Sequence, residues 1–144
     1  MRNYKDHLLK AGSTIKDALI KLDALAKDAI IFIVDGENRL LGSLTDGDVR
    51  RGLIKGITID HQVDEIIQPN PRYIRKGEQD IKKVIEYREG NFRIVPIVDK
   101  ESKIVNVINF REMRSYLPVD AVIMAGGRGQ RLRPLTDDTP KPLL

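Results

Sequence analysis

Two stretches of this chain carry the same succession of hydrophobic and polar positions. In Ser13–Leu53, Ile15, Ala18, Leu19 and Leu22 recur at the spacing that places them on one face of a helix. The apolar run AIIFIVD (Ala29–Asp35) follows, then the polar turn GEN, a second apolar run RLLGSL, and a closing helical segment. In Glu78–Leu117 the order repeats. Ile81, Val84 and Ile85 share a helical face that Arg88 interrupts, and FRIVPIVD, the turn KES, the run KIVNVI and a second closing helix come after it.

The repeat keeps its register. Asp35 and Asp99, Gly42 and Asn106, Thr45 and Asn109, and Asp48 and Glu112 are each 64 positions apart, whereas Ile15 and Ile81 are 66 apart. A change of two residues between helix and strand accounts for the difference, in the kind of loop that tolerates it. The pattern predicts an α+β chain of two βαββα units of roughly 55–60 residues, each small enough to need its twin for a shared core. The joining segment HQVDEIIQPNPRYIRKGE holds Pro69 and Pro71, so part of it is extended, and RYIR is expected to supply the first strand of the second unit. The expected units are residues 1–61 and 62–118, with a distinct segment at 119–144.

Composition narrows the class. Of the 144 residues, 41% are hydrophobic and 32% charged, the balance of a soluble folded chain, and the net charge is only +4. No block of five or more Lys/Arg residues appears, so nucleic acid is not an expected partner. The chain has no cysteine, which excludes disulfides and thiolate metal sites, and no metal site is expected among these residues. His7 and His61 stand among polar residues and are expected on the surface. No apolar run suits a signal peptide or a membrane span, so the expected location is the cytoplasm, with no membrane partner.

The turn GSLTDGDV (Gly42–Val49) stands where the last strand of the first unit meets its last helix. Thr45 and Asp48 have capping-box spacing, as do Asn109 and Glu112, and capping alone accounts for both pairs. The same residues suit a ligand. Amides at a helix N-terminus attract phosphate, a carboxylate accepts ribose hydroxyls, Gly42 lets backbone approach a planar base, and Arg50 and Arg51 stand within reach of phosphates.

Gly42-x-x-Thr45-x-x-Asp48 after FIVDGENRLLG resembles the signature of a CBS domain, and the repeat from Ser13 to about Leu117 resembles a tandem CBS pair, or Bateman module. The resemblance implies two units packed as a pseudo-twofold disc, with clefts that take AMP, ADP, ATP or another nucleotide and control a neighbouring domain. It assigns ribose and phosphate contacts to Thr45 and Asp48, with Thr14 a weaker polar contact. The second unit departs from the signature at Asn106, Asn109 and Glu112, so one competent cleft and one weaker cleft around Asn109 and Glu112 are expected. It also implies a homodimer of discs.

The last residues form another pattern. Ala121–Ala125 is a continuous apolar run of buried-strand type, and it enters GGRGQRLRP, where Gly126, Gly127 and Gly129 offer bare amides to phosphates and Arg131 and Arg133 add fixed positive charge. The Gly-Lys-Ser/Thr of a Walker A loop is absent, and no glycine stands where a dinucleotide fingerprint needs its third.

Ala125–Thr136 with Pro140–Leu143 resembles the opening of the sugar-phosphate nucleotidyltransferases, AGGxGxRLxPLT…PKPL, most nearly the mannose-1-phosphate guanylyltransferase type. The resemblance implies a C-terminal strand-loop fragment of an α/β nucleotidyltransferase domain, in which the glycine loop wraps a nucleoside triphosphate and Arg131 and Lys141 steady phosphates. The implied reaction joins a sugar 1-phosphate to the triphosphate and releases pyrophosphate, with Mg2+ held by carboxylates further along. The expected function is therefore a regulatory nucleotide-binding pair attached to such an enzyme, with these 144 residues inactive by themselves. The alternative is a structural dimerisation module that binds no ligand.

Overall fold

The computed structural model describes residues 3–77, 81–112 and 133–134. The second closing helix, the Ala121–Ala125 strand and the glycine-arginine segment lie outside them. The first unit holds β1 (Leu8–Lys10), α1 (Ile15–Leu25), β2 (Ile30–Val34), β3 (Leu40–Thr45) and α2 (Asp46–Ile54). The second holds β4 (Ile74–Arg75), α3 (Ile81–Glu89), β5 (Ile94–Val98) and β6 (Ile104–Asn109). RYIR thus supplies the first strand of the second unit, as its pattern predicts. The fold is α+β, with two three-stranded sheets ordered β1-β2-β3 and β4-β5-β6.

The two sheets are built alike. In each, the first strand runs parallel to the second and the second antiparallel to the third. Ile30 faces Thr45 as Ile94 faces Asn109, and the ladder slips at the same place, between Ile33 and Val34 and between Ile97 and Val98. The two aspartates of the repeat close equivalent turns. Asp35 Oδ1 accepts the amides of Glu37 and Arg39 at 2.8 and 2.9 Å. Asp99 Oδ1 accepts those of Glu101 and Lys103, both at 2.9 Å. Asn38 and Ser102 each take φ +64° in these turns.

The turns also meet each other. Leu40 N donates to Ser102 O and Ile104 N to Asn38 O, both at 3.0 Å, so the bonds exchange under the 64-residue shift and a pseudo-twofold axis passes between Arg39 and Lys103.

Three clusters share the apolar side chains. Alternation along β2 sends Ile31 and Ile33 toward α1, where they pack with Ile15, Ala18, Leu22, Leu25, Leu44, Val49 and Val63. It sends Phe32 and Val34 the other way, onto Ile94, Val98 and Ile104 of the second unit. Both faces of β2 are therefore buried, which is why its sequence is apolar without a break. The second unit keeps a smaller cluster of its own at Ile74, Val95 and Phe110.

Two expectations change. His7 is buried, 5% exposed, because the turn Tyr4–His7 leads straight into β1 and tucks the ring under β2, where Nδ1 donates to Ile30 O at 2.8 Å. His61 is exposed, beside Thr58 Oγ1 at 2.8 Å. The joining segment is the second. Gln62–Gln68, assigned by sequence to the second unit, packs on the first: Val63, Ile66 and Ile67 join the α1 cluster, and residue 68 pairs with β3 through Ser43 N to Gln68 O and Gln68 N to Ser43 O, at 3.0 and 2.9 Å. No helix among the described residues is long and apolar enough to cross a membrane.

Candidate functional site

The strand-to-helix turn of the first unit places its polar residues through β3. Thr45 is the last residue of the strand and the N-cap of α2, and Asp48 is the third residue of the helix. Asp48 Oδ2 accepts the Thr45 amide at 2.9 Å and the Thr45 hydroxyl at 2.6 Å. Oδ1 accepts the Arg51 guanidinium at 2.5 Å and Gln68 Nε2 at 3.0 Å. The carboxylate is only 5% exposed. Burial on its own raises its pKa, but the Thr45 hydroxyl, the Arg51 guanidinium, the Thr45 amide and the Gln68 amide all bond the anion and together hold it below the usual carboxylate range. A buried, ionised, acceptor-only group therefore stands at the N-terminus of α2.

The other residues named for this cleft are placed unequally. Arg51 and Arg50 are exposed, with Arg51 turned back on Asp48. Thr14 caps α1 in a closed capping box: its amide and hydroxyl donate to Asp17 Oδ2 at 3.0 and 2.8 Å, and its hydroxyl accepts the Asp17 amide at 3.1 Å. Gly42 has a different neighbour from the one its sequence suggests. A Cβ there would lie 2.8 Å from Gln68 O and 3.0 Å from Ile67 Cδ1, so glycine at this position permits the close approach of the joining segment.

The second turn is not a copy. Asn109 Oδ1 accepts the Arg111 amide at 3.0 Å, a short turn in place of the expected bond with Glu112, whose amide goes to Asn109 O at 3.1 Å. Asn109 Nδ2 instead donates at 3.2 Å to Asp28 Oδ2, which belongs to the first unit. The Arg111 guanidinium lies 3.6 Å from Asp28 Oδ1 and 3.5 Å from Lys27 O. Glu112 itself is exposed. Beside this turn is an open hollow of about 610 Å³ lined by Arg88, Asn91, Phe92, Arg93, Phe110 and Arg111. Arg72 adds a fourth guanidinium, 4.0 Å from the centre of the Phe92 ring.

Gln68, Asp28 and Arg111 carry this geometry and escape sequence reasoning. Gln68 acts across the joint between units, and Asp28 has no counterpart, since a shift of 64 lands on Phe92. Gly126, Gly127, Gly129, Arg131 and Lys141 lie outside the described residues. Among the described residues no group of three or more His, Asp or Glu side chains could hold a metal ion.

Against known proteins, residues 7–55 match the CBS-domain family model and residues 120–144 that of the nucleotidyl transferases. The fold is similar to that of solved CBS-domain pairs. Among solved structures, a CBS-domain protein of Pyrobaculum aerophilum complexed with AMP superposes with a TM-score of 0.61 at 18% identity, covering 77% of this chain and 83% of that one. Listeria monocytogenes CbpB in complex with c-di-AMP gives 0.61 at 19%, covering 77% and 86%. The cytosolic domain of the Mg2+ channel MgtE in complex with ATP gives 0.56 at 27%, covering 71% and 41%. In sequence, an uncharacterized protein of Helicobacter pylori is 27% identical over 107 residues, 74% of this chain and 32% of its own length. The chain thus spans about a third of that relative. The N-acetylmuramate alpha-1-phosphate uridylyltransferase of Neisseria meningitidis is 75% identical over 24 residues, 17% of this chain and 10% of that enzyme.

Proposed function

We propose that this chain is the nucleotide-sensing part of a sugar-1-phosphate nucleotidyltransferase, and that its first cleft binds an adenosine nucleotide or a close relative. Asp48 carries the reading. It is a buried, ionised carboxylate whose charged partner, Arg51, is an exposed side chain. The vicinal hydroxyls of a ribose donate to Asp48. Arg51 then turns to the phosphate oxygens beside Arg50 and the amides of α2. AMP, ATP and c-di-AMP in the solved relatives support this class of ligand.

The tail supports the second half of the reading. Its match to the nucleotidyl transferases supports a reading in which Gly126, Gly127 and Gly129 wrap the triphosphate and Arg131 and Lys141 steady phosphates. Mg2+ would supply charge neutralisation there. The tail's relative is by name a uridylyltransferase, so we extend the proposal to a nucleotidyl donor and a sugar 1-phosphate; the guanylyl preference stands on the sequence resemblance alone. The cytoplasm is the proposed location. Exposed Ile20, Leu53 and Ile54, 61%, 43% and 80% exposed, are the proposed surface for pairing of two chains. Ile54→Glu should halve the mass measured by light scattering.

The competing reading is a structural module without a ligand. The internal partners of both Asp48 oxygens favour it. Melting in the presence of AMP, ADP, ATP, GTP and sugar nucleotides separates the two. A ligand at a hundred times its Kd adds about 2.7 kcal/mol. No shift with any of them at millimolar concentration would leave the structural reading.

A further inference from the structure

A carboxylate from the first unit reaches the strand-end turn of the second. Asp28 is 5% exposed, yet among the described residues Oδ1 has no hydrogen-bond partner and faces the Arg111 guanidinium at 3.6 Å, while Oδ2 takes the Asn109 amide at 3.2 Å. A buried carboxylate left half-bonded is costly. The backbone that delivers it is costly too: Ala26, which ends α1 two residues earlier, sits at φ +51°, a region that L residues rarely adopt. Stability alone does not call for either feature. A carboxylate between an amide donor and a guanidinium is, however, the arrangement in which a ligand's oxyanion is held. Arg111 also lines the hollow with Arg88, Arg93, Phe92 and Phe110, whose charges and rings suit an anionic, planar molecule. The first cleft has no such carboxylate, because the residue 64 positions on from Asp28 is Phe92.

We propose that Asp28 is an internal competitor. Its carboxylate occupies the oxyanion position of the second cleft, held by Asn109 and Arg111, so that a nucleoside phosphate enters there only by displacing it. The proposal rests on the nucleotide-binding reading above and sets how many ligands the pair takes: one, in the first cleft. Removing the carboxylate frees Arg111 and Asn109 and creates a second site.

Calorimetric titration of the full 144-residue chain with ADP tests this. The intact chain should bind one ADP and Asp28→Ala two. Asp28→Ala/Arg111→Ala should return to one, with the second site weakened about tenfold or more by loss of a charge-assisted contact. Asp28→Asn keeps the volume, removes the charge and gives the same gain, so it serves if Asp28→Ala melts early. An intact chain that binds none beside an Asp28→Ala chain that binds one would sink the first-cleft reading and keep the competitor. An unchanged count in folded Asp28→Ala and Asp28→Asn, two sites in the intact chain, or a gain that survives removal of Arg111 would each overturn it.

Discussion

The Asp48 carboxylate lies 2.5 Å from the Arg51 guanidinium, and the two differ sharply in exposure: the acid is 5% exposed and the arginine side chain 63%. An anion fixed in the fold is thus paired with a cation that faces solvent.

Acid stability follows from that arrangement. The folded pKa of Asp48 lies below its unfolded value near 3.9, so the ionised group contributes stability above about pH 4, and that contribution disappears as pH falls through the folded pKa. Asp48→Asn should cost about 1–3 kcal/mol at pH 7, because the Thr45 hydroxyl and amide and the Gln68 amide lose a charged acceptor. At pH 3 the difference between the variant and the intact chain should be smaller than at pH 7. Urea unfolding at both pH values measures the difference; a gap that stays constant would mean Asp48 is not the group that titrates.

Ligand binding should be unequal between the two turns. Thr45→Val removes the hydroxyl on Asp48 and should cut the nucleotide-dependent rise in Tm, with a loss of affinity of about tenfold. Glu112→Ala touches an exposed side chain and should leave the rise intact. The reverse order would move the competent cleft to the second unit.

Much of this frame is legible in the sequence because local chemistry repeats. Asp35 and Asp99 mark turns whose side chains bond amides two and four residues on, so the type and spacing of the residues suffice. The unbroken apolar run of β2 marks a strand covered on both faces. What stays hidden is contact over long separations. His7 meets Ile30, Gln68 meets Asp48, and Asp28 meets Asn109, across 23, 20 and 81 positions. None of these pairs leaves a periodic trace, and a histidine among polar residues resembles a surface group until the strand that covers it is in place.

Gly42 makes the point testable. Its missing side chain leaves room for Gln68 O, and Gly42→Ala would force the joining segment off β3, because the obstruction at 2.8 Å is backbone. The expected cost is about 1–3 kcal/mol, as for overpacking in a core. Gly36→Ala is the control: nothing lies within 4 Å of its Cβ position, and the change should be neutral to slightly stabilising, by about 0.5 kcal/mol. Equal destabilisation by the two, measured by urea unfolding, would argue against the packing role of the joint.

The shared core makes the two units one folding body. Phe32 is 1% exposed and belongs to the first sheet, but it packs on Ile94, Val98 and Ile104 of the second. Phe32→Ala should cost about 3–5 kcal/mol through lost burial and the cavity left behind. The distribution of that loss is the informative part. Amides of β3 and of β6 make equivalent ladders in separate sheets. If the units stood on separate cores, hydrogen exchange in Phe32→Ala would accelerate in β3 and leave β6 unchanged. With the core shared across the axis between Arg39 and Lys103, exchange should accelerate in both ladders by the same factor, because opening either unit exposes the cluster that closes the other.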